Sequence, residues 1–273
     1  MPAKYINKLH GARVLIFGGS SGMGFSAAEA AIEFGAIVTI SSSNPEKLDK
    51  AVARLQAHAR DVGVSPDTIT SVVADLSNAD TLDQNVVSVL ESATKGGKLD
   101  HIIFSAGDSL TMKPYSEVTP ASFQRAILVR QMAPMMIGKH VGAYVNQSVN
   151  SSLTLTGGSA SWRPPKGWAT AAAQSALLEG LTRGLAVELA PVRVNCVIPG
   201  AVHTELFGMF PKEQLEPILA GMKADTLTNT VGTPEELAEA YLYSMKNTFT
   251  TGVNIDASGG RMVGDSRGDM FGN

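Results

Sequence analysis

Val14-Leu15-Ile16-Phe17 runs without a break into Gly18-Gly19-Ser20-Ser21-Gly22-Met23-Gly24, and a helical pattern follows. An apolar strand that ends in a glycine turn and opens a helix is the first half of a βαβ unit suited to a pyrophosphate. Glycines let the backbone turn sharply and approach the phosphates, while the free N–H groups of the helix start face the anion. Glycine turns end many strands, so the placement between first strand and first helix carries the reading.

Outward from this turn, apolar β-branched runs alternate with helical patterns to the far end. The pattern predicts strands at 13–18, 36–41, 69–74, 99–105, 152–156, 192–197 and 252–256. It predicts helices at 22–34, 45–61, 79–94, 120–139, 169–188 and 234–246. That βαβ order implies an α/β fold, a parallel sheet covered by helices on both faces. The 273 residues contain no repeat, low-complexity tract or Pro/Ser-rich linker, so a single domain spanning 1–273 is expected. The span 203–233 breaks the rhythm and reads as an inserted substrate lid. Its Leu206, Phe207, Met209 and Phe210 fall near a strand end, where open α/β sheets bind ligands.

Composition narrows the function. A hydrophobic fraction of 44% against 17% charged residues excludes a disordered chain or a coiled coil. Lys plus Arg is 22 and Asp plus Glu 25, a net charge of −3, which leaves no electrostatic footprint for nucleic acid. A single cysteine, Cys196, excludes a disulfide framework and fits a reducing compartment. The histidines never fall at ligand spacing, so no metal is expected. No run approaches the ~20 apolar residues of a membrane span. Met1-Pro2-Ala3-Lys4 lacks a signal peptide's apolar stretch, and Phe271-Gly272-Asn273 is no known address. The expectation is a cytoplasmic protein with a small-molecule substrate and neither nucleic-acid nor membrane partners.

The spacing Gly-x-x-x-Gly-x-Gly over Gly18, Gly22 and Gly24 resembles the short-chain dehydrogenase/reductase family, and further matches follow in order along nearly the whole chain. Asp75-Leu76-Ser77 is similar to the family's adenine-side segment, and Ser105-Ala106-Gly107 to its Asn-Ala-Gly turn. Leu178-Glu179-Gly180-Leu181-Thr182-Arg183 resembles its long interface helix, and Arg193 to Gly200 with Thr204 its nicotinamide-side segment. Asp256-Ala257-Ser258-Gly259-Gly260 resembles its closing strand and turn, whereas Phe17 departs from a common threonine. The resemblance implies cofactor contacts from Gly18, Ser20, Ser21, Gly22, Met23 and Gly24, then Asp75 and Leu76, then Ser105, Ala106 and Gly107, and finally Pro199, Gly200, Val202 and Thr204. It also implies a Rossmann-type fold, a doubly wound seven-stranded parallel sheet with helices on both faces, and a homodimer or homotetramer.

An NAD-selective site places an acid about 20 residues beyond the glycines, on the ribose 2′-OH. Here the second strand ends in Ser41-Ser42-Ser43-Asn44, and the nearest acid is Glu46 in the next helix. Three hydroxyls and an amide accommodate a 2′-phosphate that a carboxylate would repel. NADP(H) is the expected cofactor.

The family's catalytic tetrad is Asn, Ser, Tyr and Lys. Anchoring on Leu178-Glu179-Gly180 puts Ala171 at the tyrosine position and Ser175 at the lysine position. The serine position falls at or beside Gly158, and anchoring on Phe123 and Val129 puts Arg130 at the asparagine position. Carbonyl reduction normally draws a proton from that tyrosine. From Val118 to Leu178 there is no Asp or Glu, while Arg125, Arg130, Lys139, His140, Arg163 and Lys166 are present. Arg130 is the candidate catalytic residue, a fixed cation able to polarise an oxygen or bind a carboxylate. Its alternative is a helix arginine reaching for solvent. Lys166 and Trp168, before the interface helix, join Phe207, Met209 and Phe210 as candidate substrate contacts.

This pattern, with Gly167-Trp168 before an alanine-rich helix, resembles an atypical branch of fungal secondary-metabolite reductases. That branch includes the bifunctional reductase/Diels–Alderases of indole alkaloid pathways. The resemblance implies NADPH-dependent reduction of an apolar cyclic imine, iminium or activated carbonyl, since an iminium accepts hydride without a proton donor. Two other readings stay open: a cyclase that keeps the nucleotide as structural support, and a catalytically silent NADP(H)-binding protein.

Overall fold

The computed structural model describes residues 4–108, 114–209 and 212–264. The first half of the sheet is built from β1 (Arg13–Phe17), α1 (Gly22–Glu33), β2 (Ile37–Ser42), α2 (Pro45–Asp61), β3 (Ile69–Val73), α3 (Leu82–Ala93) and β4 (His101–Phe104). The second half comprises α4 (Pro120–Ile127), α5 (Ala133–Tyr144), β5 (Ser152–Thr156), α6 (Ala169–Glu188), β6 (Arg193–Pro199), α7 (Lys212–Ala224), α8 (Pro234–Lys246) and β7 (Asn254–Ala257). The strands form one parallel sheet of order β3-β2-β1-β4-β5-β6-β7. Chain order reverses between β1 and β4, so a crevice opens beyond the carboxyl ends of those two strands.

Alternation along the central strand explains the two layers. Val14 and Ile16 pack into a core with residues of α1, α2 and α8, including Ala28, Leu55 and Tyr241. Leu15 and Phe17 point the other way, into a core with Val86 of α3, Ile137 of α5 and Leu178 of α6. Both faces of β1 are covered, which is why its sequence reads as an unbroken apolar run.

The expected helix 120–139 is corrected. It is two helices, α4 and α5, joined by a π-helical turn at Leu128–Met132. Pro134 gives the physical reason: it has no N–H for the carbonyl four residues earlier, that of Arg130, so the ladder widens there. The widened turn thus carries Arg130 itself. The helix expected at 79–94 starts later, at Leu82, because Asn78 Oδ1 accepts from Asp80 N and holds a turn before it.

His101, at the start of β4, is buried with Nδ1 2.9 Å from Ser152 Oγ. Burial, aided by the Arg193 charge, pushes its pKa down to about 4 from 6.5. The unfolded chain therefore takes a proton at higher pH than the folded one. Stability is fully present above about pH 6.5 and declines as pH falls toward 4, by about 3 kcal/mol in all. Urea unfolding at pH 7 and pH 4.5 should show this loss in the wild type and a smaller one in His101→Gln. Equal losses would remove His101 as the cause.

Candidate functional site

The glycine turn is shaped by contacts that leave no room for side chains. Gly18 lies at φ +85°, and a Cβ there would sit 2.5 Å from Ala106 N. A Cβ on Gly24 would sit 2.4 Å from Gly18 O and 2.3 Å from Ser105 Oγ, so α1 starts hard against the ends of β1 and β4. Gly22 lies at φ +53°, with its Cβ direction 3.3 Å from Thr204 Cγ2. Ser21, the N-cap of α1, makes no side-chain capping bond. First-turn N–H groups of a helix left without a side-chain cap suit an anion. This cradle fits a dinucleotide pyrophosphate, with Gly18, Gly22 and Gly24 holding the backbone close.

The turn is tied to the second strand. Gly18 N donates to Ser41 O at 2.8 Å, and Ser20 Oγ to Ser42 Oγ at 2.9 Å. Ser41 is buried while Ser43 and Asn44 are exposed. Asn44 also serves the fold, since its Oδ1 caps α2 by accepting from Lys47 N at 2.9 Å. After β3, Leu76 is buried, and Asp75 accepts from both the hydroxyl and the backbone N–H of Ser77. Those bonds hold its carboxyl below the usual range.

Beside the turn opens a cavity of about 490 Å³. Met23, Ser105, Ala106, Pro199, Gly200, Val202 and Thr204 line the side next to the glycine cradle, joining the first turn, the β4 turn and the segment after β6. Its other walls are largely apolar and include Ala160, Trp168, Leu178, Phe207, Ile218 and Met222. Phe207 is buried and stacked on His203 with ring centroids 5.4 Å apart. Ala171 and Ser175, which the sequence led one to expect at the family's tyrosine and lysine positions, both line the cavity, and no described lining residue is a tyrosine or lysine. Lys166, the weak substrate candidate, is exposed and outside the cavity lining, as a loop lysine usually is, while Trp168 at the N-cap of α6 lines it. Phe210 and the Met209 side chain lie outside the described residues.

Arg130 lines the cavity from the π-helical turn. Its Nε donates to Asp108 Oδ1 at 3.2 Å and its Nη2 to the Asp108 carbonyl. The guanidinium lies so near Gly107 that a Cβ there would be 2.5 Å from Arg130 Cζ. Burial lowers the Arg130 pKa, and the Asp108 charge and hydrogen bond work against that fall. A guanidinium held this way stays a cation and presents a fixed fork.

Sequence reasoning missed four residues here. Asp108 directly follows Ser105-Ala106-Gly107, a position that could have pointed to it. Asp225 arrives at the cavity from the end of α7, with Oδ1 3.1 Å from Arg163 Nη2 and Oδ2 accepting from Arg261 Nε at 2.6 Å. Arg261 Nη1 reaches Ser159 Oγ at 3.2 Å. Gln131 is buried beside Arg130, donating from Nε2 to Gln174 O at 3.2 Å. No local pattern announces Asp225, Arg261 or Gln131. Cys196 is no nucleophile, as burial pushes its thiol up to about 12. No cluster of potential metal ligands exists among the described residues.

Sheet order, glycine cradle and adjoining cavity define a dinucleotide-binding α/β protein. The family described as an SDR-like Rossmann domain matches residues 5–263, and the chain belongs to the short-chain dehydrogenase/reductase family. The short-chain dehydrogenase/reductase malC of Malbranchea aurantiaca is 38% identical over 255 residues, covering 93% of this chain and 96% of that protein. The solved structure of that fungus's MalC reductase/Diels–Alderase superimposes with a TM-score of 0.90 at 37% identity, covering 96% of this chain and 100% of that one. A small-chain dehydrogenase in complex with NADPH superimposes with a TM-score of 0.74 at 26% identity, covering 93% of this chain and 100% of that one. Among the described residues no helix is long and apolar enough to cross a membrane.

Proposed function

We propose that this protein is an NADPH-dependent reductase of secondary metabolism, in the cytoplasm, acting on an apolar ring-containing substrate with a cyclic imine, iminium or activated carbonyl. The observation that carries the reading is Arg130 on the wall of a largely apolar cavity beside the glycine cradle, whose described lining holds Ala171 and Ser175 and no tyrosine or lysine. The likeness to a reductase/Diels–Alderase supports it. NADPH, when bound, supplies the hydride. Transfer to an iminium carbon breaks the C=N⁺ π bond, leaves a neutral amine and calls for no proton. Gly18, Ser20, Ser21, Gly22, Met23 and Gly24 would hold the pyrophosphate, Ser42 and Ser43 a 2′-phosphate, and Ser105, Ala106, Pro199, Gly200, Val202 and Thr204 the nicotinamide side. Arg130 orients the substrate by hydrogen bonding an oxygen near the reacting carbon. The segment from Glu205 through α7 acts as the lid, with Leu206, Phe207 and Met222 facing the cavity.

The MalC likeness also favours a second reading, a cyclase that turns over without consuming NADPH. Single-turnover mixing of the NADPH-loaded protein with a panel of cyclic imines and iminium ions decides between them. The expected result is loss of NADPH absorbance, and weaker binding of NADH than NADPH by titration calorimetry. Product formation with NADPH intact would favour the cyclase, and equal affinities would remove the cofactor argument built on Ser41 to Asn44. Exposed Leu177 and Val187 on α6 support a homodimer or homotetramer.

A further inference from the structure

Arg130 brings a full positive charge to the wall where the proposed substrate carries its electrophile. An iminium would be repelled by a bare guanidinium, so the charge around Arg130 decides what the cavity takes. Among the described lining residues only Arg130, Asp225 and Arg261 are charged. Asp225 is held by Arg261 and Arg163 on the α7 side. At the nucleotide side, Arg130 stands with Asp108.

Two features make Asp108 more than a surface ion-pair partner. It grips Arg130 twice, by carboxylate and by carbonyl, and the adjoining Gly107 has no side chain, so the guanidinium lies flat against the backbone. The pair is also withdrawn from water on the arginine side, 28% exposed for Arg130 against 44% for Asp108. Screening is reduced there, and a neighbouring charge counts for more than on an open surface. Nη1 of Arg130 has no partner among the described residues, so one edge of the fork remains to donate.

We infer that Asp108 sets the charge preference of the cavity: paired with Arg130 it makes that wall neutral overall, so the site admits a cationic or neutral electrophile carrying a nearby hydrogen-bond acceptor for Arg130 Nη1. Without the Asp108 charge the same cavity prefers an anion. Asp108 is a positioning and specificity residue that acts through Arg130. The inference rests on the proposed reading only in taking this cavity as the substrate site.

Equilibrium binding tests it without turnover. Three bicyclic probes of similar shape are titrated into the full chain saturated with NADP⁺ at pH 7.5: N-methylisoquinolinium, isoquinoline and 2-naphthoate. In the wild type the cation should bind at least as tightly as the anion. Asp108→Asn keeps a side-chain oxygen for Arg130 Nε and removes only the charge. It should weaken the cation about tenfold, tighten the anion about tenfold and leave isoquinoline within about twofold. Asp108→Glu should retain the wild-type order. Arg130→Gln should shift the two ions the opposite way, which keeps the test alive if the Asp108 variants fold poorly. A merely structural role would move all three probes together. That result, unchanged ion affinities in Asp108→Asn, or no binding of any probe to the wild type would overturn the inference. Failure of the reductase reading would show separately, as bound NADPH left unoxidised by every imine while the charge inversion persists.

Discussion

Gly22→Val should abolish binding of NADPH and NADH alike, a loss of at least about a hundredfold in affinity. Gly22 opens α1 at φ +53°, a conformation that a β-branched residue rarely adopts. Relaxing that strain swings the first turn of α1 and with it the N–H groups that face the pyrophosphate. The new side chain would also start 3.3 Å from Thr204 Cγ2, wedging the glycine turn away from the segment after β6. Those two segments flank the cofactor in the proposed binding mode, so one substitution spoils both sides. The core contacts of β1 lie outside the turn, so the fold should survive. Gly24 would make a poorer probe, because a Cβ there strikes backbone at 2.4 Å and damages the packing of α1 itself. Titration calorimetry checks the outcome, with thermal unfolding as the control for folding. Wild-type affinity in a folded Gly22→Val protein would show that the turn is misassigned.

Arg130→Ala should lower kcat/KM by about 10²-fold or more, the size of loss seen when one preorganised electrostatic donor is removed. NADPH affinity should change little, because the proposed cofactor contacts come from the turns after the strands and none from the π-helical turn. Arg130→Lys should recover only part of the activity. A lysine lacks the planar fork that grips Asp108 at two points while keeping a third edge for substrate. Ala171→Tyr with Ser175→Lys supplies the complementary control. Both residues line the cavity, so this double variant places the family's usual proton donor beside the substrate. With an iminium as electrophile no such donor is used, and the double change should leave turnover no better or obstruct the pocket. A fully active Arg130→Ala enzyme would leave the cavity without its proposed catalytic group and move the reading to a nucleotide-binding protein.

The two proposals draw on different kinds of information. Gly18, Gly22 and Gly24 were readable because a cradle of this kind is local: strand, turn and helix start occupy eleven consecutive residues, Val14 to Gly24. Arg130 was readable only in part. Its place at the family's asparagine position followed from the resemblance, but periodicity drew one helix through it. Pro134, which lacks the N–H that Arg130's carbonyl needs, was the signal for a break. Lys166 could be named only as a weak candidate beside the usual solvated lysine, because its loop has no periodic pattern to say which way it faces.

What the sequence determined by itself was the sheet, its parallel character, the nucleotide turn and the apolar character of the cavity. Each rests on short-range periodicity or on adjacency along the chain, where backbone geometry leaves few alternatives. The charge of the site was decided only by tertiary structure. Along the chain Arg130 sits in a stretch with no acid from Val118 to Leu178, and it reads as an unbalanced cation. In the fold, Asp108 meets it from the β4 turn, 22 positions away in sequence. Asp225 reaches the cavity from the end of α7 and joins Arg163 and Arg261 there. Coulomb energy depends on distance in space and on exclusion of water, and neither is written in the order of residues.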